Sequence, residues 1–415
     1  MALQLPIYLD NHATTRTDPR VVEAMAPLFL EDYGNAASAG HAFGWRAAEA
    51  LERARETLAA ALAAAPREIV FTSGGTESNN LALLGAAGRR PTGRDHLVTV
   101  ASEHRSVLDP CRALARRGCT LSVLPVDSQG LVDPDDVRRA LTDRTFLVSV
   151  MAANNEIGVL QPLAEIGAVC RERGVLFHSD AVQAFGKLPL DVERVGADLV
   201  SLAAHKLYGP KGVGALYVRS RGPRVRLEPR IRGGGQERGL RSGTVAVPLV
   251  AGFARAVELC LEEQASEAGR LRALRERLWA ALRNALDGVA LNGHPTRRLP
   301  GSLNLCFAGI DADELLLALP EVALSSGSAC AGREPSHVLA ALGLPAARVR
   351  GSLRFGIGRF NSAEEIDVVA EALIAGVQRL RGSRPRKGRT ASLPSPASRR
   401  SGQARTAQAR KEPQT

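Results

Sequence analysis

The sequence predicts an α/β protein: a large domain on a mainly parallel sheet covered by helices on both faces, joined to a smaller α/β domain. Three observations carry this. Short apolar runs alternate with helical patterns of about 10–15 residues, the signature of βαβ units. The runs are apolar on both faces, as strands buried inside a parallel sheet must be. A length of 415 residues also suffices for two cores.

The strands predicted in order are EIVFT (68–72), HLVTVA (96–101), TFLVSVM (145–151), VLFHSD (175–180), LVSLA (199–203) and GALYV (214–218). Helical periodicity lies between them, as in GWRAAEALERARETLAAALA and LAEIGAVCRER. A long helical stretch over 247–287 leads into a second αβ region over about 288–380. The expected division is a large cofactor domain at 16–258, a smaller domain from 1–15 with 259–380, and a tail at 381–415. No internal repeat is visible.

Hydrophobic content of 45% and charged content of 23% are ordinary for a globular protein. No run approaches the roughly 18 apolar residues of a membrane span. The opening MALQLPIYLDNHATT has neither a basic nor an apolar leader region, which predicts a cytoplasmic protein. The tail holds ten Lys/Arg and one acid, a net +9, leaving +2 of the chain's +11 for the first 380 residues. Its Ser, Pro, Ala and Arg bury too little apolar area to fold, so a solvated extension is expected, with weak contact to RNA or an acidic protein as the other reading. The six cysteines form no C-x-x-C pair and no cluster with zinc spacing, so neither a metal nor a disulfide framework is expected. Most lie in apolar runs and read as buried small hydrophobes.

In open α/β sheets ligands collect at the carboxyl ends of the strands, and several polar residues stand there. EIVFT runs into SGGTESNN, where the Gly75 and Thr76 amides and the Thr76 hydroxyl would meet a phosphate at a helix N-terminus, or simply form a capped turn. VLFHSD ends on Asp180, whose carboxylate suits a pyridinium nitrogen, or caps the next helix; Gln183 would reach the ring's phenolic oxygen. SLAAHKL places His205 and Lys206 after another strand. A lysine there forms a Schiff base with an aldehyde once deprotonated, or is an ordinary surface charge. His104 follows HLVTVAS, placed to stack on a cofactor and move protons near neutral pH, or to serve structurally.

These residues lie in YLDNHATT (8–15), GNAASAGH (34–41), FTSGGTESNN (71–80), SEHRSVL (102–108), NNEIGVLQP (154–162), HSDAVQAFGKLPLD (178–191), AAHKLYGPKGVGALYVR (203–219), GGGQERGLRSGT (233–244), SSGSAC (325–330) and LRFGIGRF (353–360). With these blocks the chain resembles the cysteine desulfurases of the class V aminotransferase superfamily, the NifS/IscS-like group, over about residues 6–380. The resemblance implies a type I pyridoxal-phosphate (PLP) fold with a seven-stranded-type sheet, a homodimer and an active site at the subunit boundary. It makes Lys206 the Schiff-base lysine, Asp180 the pyridinium partner, Gln183 the phenolate partner and His104 the stacking residue. Thr76 and His205 would hold the phosphate, joined by Thr244 of the other subunit. Asn155 and Arg354 would bind the substrate carboxylate, with Asn155 also touching the cofactor and Arg354 using its bidentate fork.

The implied reaction takes sulfur from L-cysteine, with PLP as electron sink, and leaves L-alanine and a persulfide on a mobile protein thiolate. Cys330, after the small polar run SSGSA, fits that role; Cys306 lies in an apolar run. The sulfur would go to an acceptor protein, a cluster scaffold or a tRNA-thiolation protein. Three features depart from the family. The segment from Cys330 to Glu334-Pro335-Ser336 is shorter than the housekeeping pattern and so reaches less far. Ala203 stands where a serine often contacts the phosphate. The long basic tail is unfamiliar. The competing readings are a selenocysteine lyase or another class V enzyme that does not use Cys330, and a non-catalytic protein that binds through its tail.

Overall fold

Runs of β-branched and other apolar residues form the strands, and alternation of their side chains places a core on each face of one sheet. The computed structural model describes residues 4–327 and 335–383. Its strands are β1 (Ile7–Tyr8), β2 (Ile69–Thr72), β3 (His96–Val100), β4 (Thr120–Leu124), β5 (Thr145–Ser149), β6 (Leu176–Asp180), β7 (Leu199–Ala203), β8 (Gly214–Val218), β9 (Val289–Leu291), β10 (Ser302–Phe307), β11 (Val322–Ala323) and β12 (Ser352–Gly356). The central sheet has seven strands in the order β2-β8-β7-β6-β5-β3-β4. It is mixed: β8 runs antiparallel to both its neighbours, and the remaining pairs are parallel.

The two faces share each strand by turns. Val70, Leu97, Leu147, Leu199 and Leu216 pack under the helix Gly75–Gly88 through Leu81, Leu83 and Ala86. The neighbouring Phe71, Val98, Val148, Val200 and Ala215 belong to the opposite core, with Leu58 and Phe253. Each fully buried side chain of this size contributes about 1.5–3 kcal/mol, and Phe253→Ala would cost about 3–5 kcal/mol.

The helix Val247–Ala285 crosses between cores. Val250, Phe253 and Val257 bury in the sheet's core, while Leu271, Leu274, Leu278 and Leu282 bury in a second one. That second core covers an antiparallel sheet, β12-β10-β9, and takes in Ile7 and Leu9 of the N-terminal arm. The closing helix Ala363–Ser383 buries Val369, Leu373 and Val377 and runs past residue 381, where the tail was expected to begin; Leu380 packs against the second core and Arg381 donates to the Asp287 and Ala308 carbonyls at 2.9 Å. Residues 384–415, on which the expectation of a solvated basic tail falls, lie outside the described residues. No helix among the described residues is long and apolar enough to cross a membrane.

Candidate active site

The carboxyl ends of β2, β5, β6 and β7 open on a cavity of ≈ 250 Å³. It is lined by Gly75, Thr76, His104, Asn155, Asp180, Gln183, His205, Lys206 and Arg354, so nine of the expected residues meet in one place. Cys330 lies outside the described residues. Thr244 is exposed and does not line this cavity in its own chain.

The glycines make room for the floor. Gly74 has φ +152°, a conformation that side chains rarely adopt, and it starts the helix Gly75–Gly88. A Cβ on Gly75 would stand 2.6 Å from Val182 Cγ2 and 3.7 Å from the Ala203 Cβ. The free amides of this first helical turn and the Thr76 hydroxyl suit a phosphate. Position 203 borders the same floor, and the alanine there offers it no side-chain donor. His205 bonds Thr14 Oγ1 through Nδ1 at 3.1 Å, and burial pushes its imidazole down to about 4, so it is neutral at physiological pH.

Asp180 is buried at the end of β6. Its Oδ2 accepts from Asn79 Nδ2 at 2.7 Å and its Oδ1 from the Val182 amide at 3.0 Å. Both donors are neutral, and no ion-pair partner occurs among the described residues. A buried carboxylate so placed suits a cationic ring nitrogen. Four buried polar atoms of cavity-lining residues lack partners among the described residues: Asn155 Oδ1, Asn79 Oδ1, His12 Nδ1 and Arg354 Nε. The donor set therefore fits pyridoxal phosphate.

Lys206 follows β7, and its Nζ donates to the carbonyls of His12 (2.6 Å) and Ala13 (2.5 Å). Burial lowers its amine from 10.5 to about 7, helped by the positive charges of Lys187 and Arg354. A fraction of the amine is thus a free nucleophile at neutral pH. Sequence reasoning did not find the N-terminal carbonyls, because residues 12–13 are brought here by tertiary pairings: β1 with β11, Asn11 with the Gly356 carbonyl and Thr15 with the His205 carbonyl.

Two expected roles meet side chains that are already engaged. Gln183 Nε2 donates to the His12 carbonyl at 2.8 Å, and its Oε1 accepts from Lys187 at 3.1 Å. Arg354 bonds Asp10 Oδ1 at 2.7 Å and the Asn155 carbonyl at 3.2 Å, while its Nε is unpaired. Neither side chain is spent: an amide NH2 carries two hydrogens and a guanidinium five, and the bonds above use one and two of them. The Arg354 amide donates to the Ser325 carbonyl at 2.8 Å, which draws the start of SSGSAC to the cavity's wall.

The aminotransferase class-V family model matches residues 7–369. The chain is 53% identical over 385 residues to the cysteine desulfurase IscS of Anaeromyxobacter sp. (strain Fw109-5), covering 92% of this chain and 95% of that protein. The solved structure of a NifS-like protein superposes with a TM-score of 0.85 at 37% identity, covering 90% of this chain and 100% of that one. The structure of SspA in complex with cysteine gives 0.76 at 36% identity, covering 86% and 99%.

Proposed function

We propose that this chain, which belongs to the aminotransferase class-V family, is a PLP-dependent cysteine desulfurase that converts L-cysteine to L-alanine and passes on the sulfur. The observation that carries the reading is one cavity that joins a half-neutral lysine, a buried carboxylate with neutral donors only, and an arginine.

When bound there, pyridoxal phosphate supplies the electron sink that labilises bonds around an amino acid's α-carbon. Lys206 would hold it covalently, Asp180 would pair with its ring nitrogen, and Thr76, the Gly75 amide and His205 would hold its phosphate. Gln183 serves its phenolic oxygen. Arg354 and Asn155 orient the substrate carboxylate. The freed Lys206 amine, with its lowered proton affinity, is the base that takes and returns a proton at carbon. Cys330, as thiolate, would attack the substrate sulfur; the S–S bond forms as the substrate's Cβ–S bond breaks, that bond's electron pair stays on the carbon that is protonated to alanine, and the persulfide then passes to an acceptor protein for iron–sulfur clusters or tRNA thiolation. A homodimer in the cytoplasm is the setting proposed for this work.

The test is release of alanine and sulfide from L-cysteine with a thiol reductant, by wild type, Cys330→Ala and Lys206→Ala. Wild type should form both products and neither variant should. Equal activity of wild type and Cys330→Ala would remove the persulfide step and favour a lyase. Inactive wild type that still retains the cofactor would sink the substrate assignment.

A further inference from the structure

Four hydrogen bonds connect Asp180 to His104 through two residues that the motifs did not single out. Asn79 Nδ2 donates to Asp180 Oδ2 at 2.7 Å and to Ser106 Oγ at 2.8 Å. Ser106 Oγ lies 2.7 Å from His104 Nδ1, and the Ser106 backbone N–H donates to that nitrogen at 3.1 Å. The four residues come from three elements: the helix Gly75–Gly88, the end of β6 and the first turn of the helix Arg105–Arg116, which His104 caps.

The direction of each bond follows from what each group can give. A carboxylate only accepts, so Asn79 must turn its NH2 to Asp180, which fixes the amide orientation. The second N–H of that amide then points at Ser106 Oγ, which accepts it. The Ser106 hydroxyl keeps one proton, and His104 Nδ1 stands in line for it. The Ser106 backbone N–H can only donate, and it aims at the same ring nitrogen. A nitrogen that receives two donors presents its lone pair, so the ring proton sits on the other one.

We propose that Asn79 and Ser106 are positioning residues that hold the His104 imidazole as the neutral Nε2–H tautomer, so that its second nitrogen is a donor and not a base. A proton added at Nδ1 would face the Ser106 N–H and force the hydroxyl to turn away. The surroundings agree: burial pushes the imidazole down, as do Lys206 and the His337 ring, against Asp180 and Asp109. For catalysis, which rests on the desulfurase reading, His104 would steady negative charge on a sulfur in the cavity and leave proton abstraction to the Lys206 amine. The tautomer itself does not depend on that reading.

The experiment is 15N NMR of the holoenzyme with ring-labelled histidines across neutral pH. The chain has eight histidines, and His104→Gln assigns the signal by its loss. The wild-type Nδ1 should show the shift of an unprotonated acceptor, and Nε2 that of a protonated nitrogen. Ser106→Ala removes one of the two donors and should move the tautomer ratio roughly two- to ten-fold towards Nδ1–H, the worth of one hydrogen bond. A wild-type ring protonated at Nδ1, or an even mixture, would overturn the proposal even if the variant does not fold. An unchanged ratio in folded Ser106→Ala would overturn it too. Wild type that holds the Nε2–H form yet releases no alanine from L-cysteine would sink the desulfurase reading and leave this one standing.

Discussion

Lys206 is an amine taken out of water and set among other cations. Burial is the largest cause of its fall from 10.5 to about 7, and the charge of Lys187 comes next. Lys187 is itself pushed down to about 8 by burial, so it still carries charge near pH 7. Covalent capture of pyridoxal phosphate by the apoprotein should therefore rise through about pH 7 and level off by pH 9, followed by absorbance. A rate that still climbs at pH 10 would show an ordinary lysine. Lys187→Met removes a neighbouring positive charge, so the midpoint should move up. The same shift sets a sign for stability. The unfolded chain binds this proton between about pH 7 and 10.5 and the folded apoprotein does not, so this group's contribution to stability rises with pH across that window. Urea unfolding of the apoprotein and of Lys206→Met should differ in that slope. Lys206 and Asp180 were legible because each ends an apolar run. Asn79, Ser106 and the His12 carbonyl were not, since their meaning depends on which elements the fold brings together.

Strands show the same division at the scale of elements. The predicted runs ending in Asp180, Ala203 and Val218 are observed with ends within a residue or two, because two-sided burial leaves long apolar runs. β4 was missed: TLSVL sits at the sheet's edge, half exposed, and mixes polar with apolar residues. The opposite edge, β2, is closed by side chains. The Arg55 guanidinium makes two 2.8 Å bonds to the Glu237 carboxylate, and both groups are buried. Arg55 also donates to the Ile69 carbonyl, and Glu237 accepts from the Phe71 amide, both at 2.8 Å. These are edge groups of β2 that would otherwise invite another strand. Glu237→Ala leaves a buried cation without its main partner and the Phe71 amide open, so it should cost about 3–5 kcal/mol. Arg55→Met with Glu237→Leu should recover much of that, since an apolar pair of similar volume needs no desolvation of charge. Thermal melting of wild type and the two variants checks both statements, and a double variant no better than Glu237→Ala would contradict the second.

At the scale of the whole molecule, the chain leaves Phe29, Leu30, Tyr33 and Trp45 each more than half exposed, an apolar surface that suits contact with another subunit. Thr244 points to the same conclusion from the site. It carries a phosphate role in the family resemblance, yet it is exposed here and absent from its own chain's cavity. Both facts are met if Thr244 completes the cavity of a second copy. The protein should then sediment at about twice 44.0 kDa. Thr244→Ala should weaken cofactor retention about ten-fold, the worth of a hydrogen bond to a charged group. Diluting wild type until the dimer dissociates should release cofactor in step with the fall in mass. A monomer that keeps its pyridoxal phosphate as tightly as the dimer would show that each chain builds its site alone, and the subunit-boundary site would have to be given up.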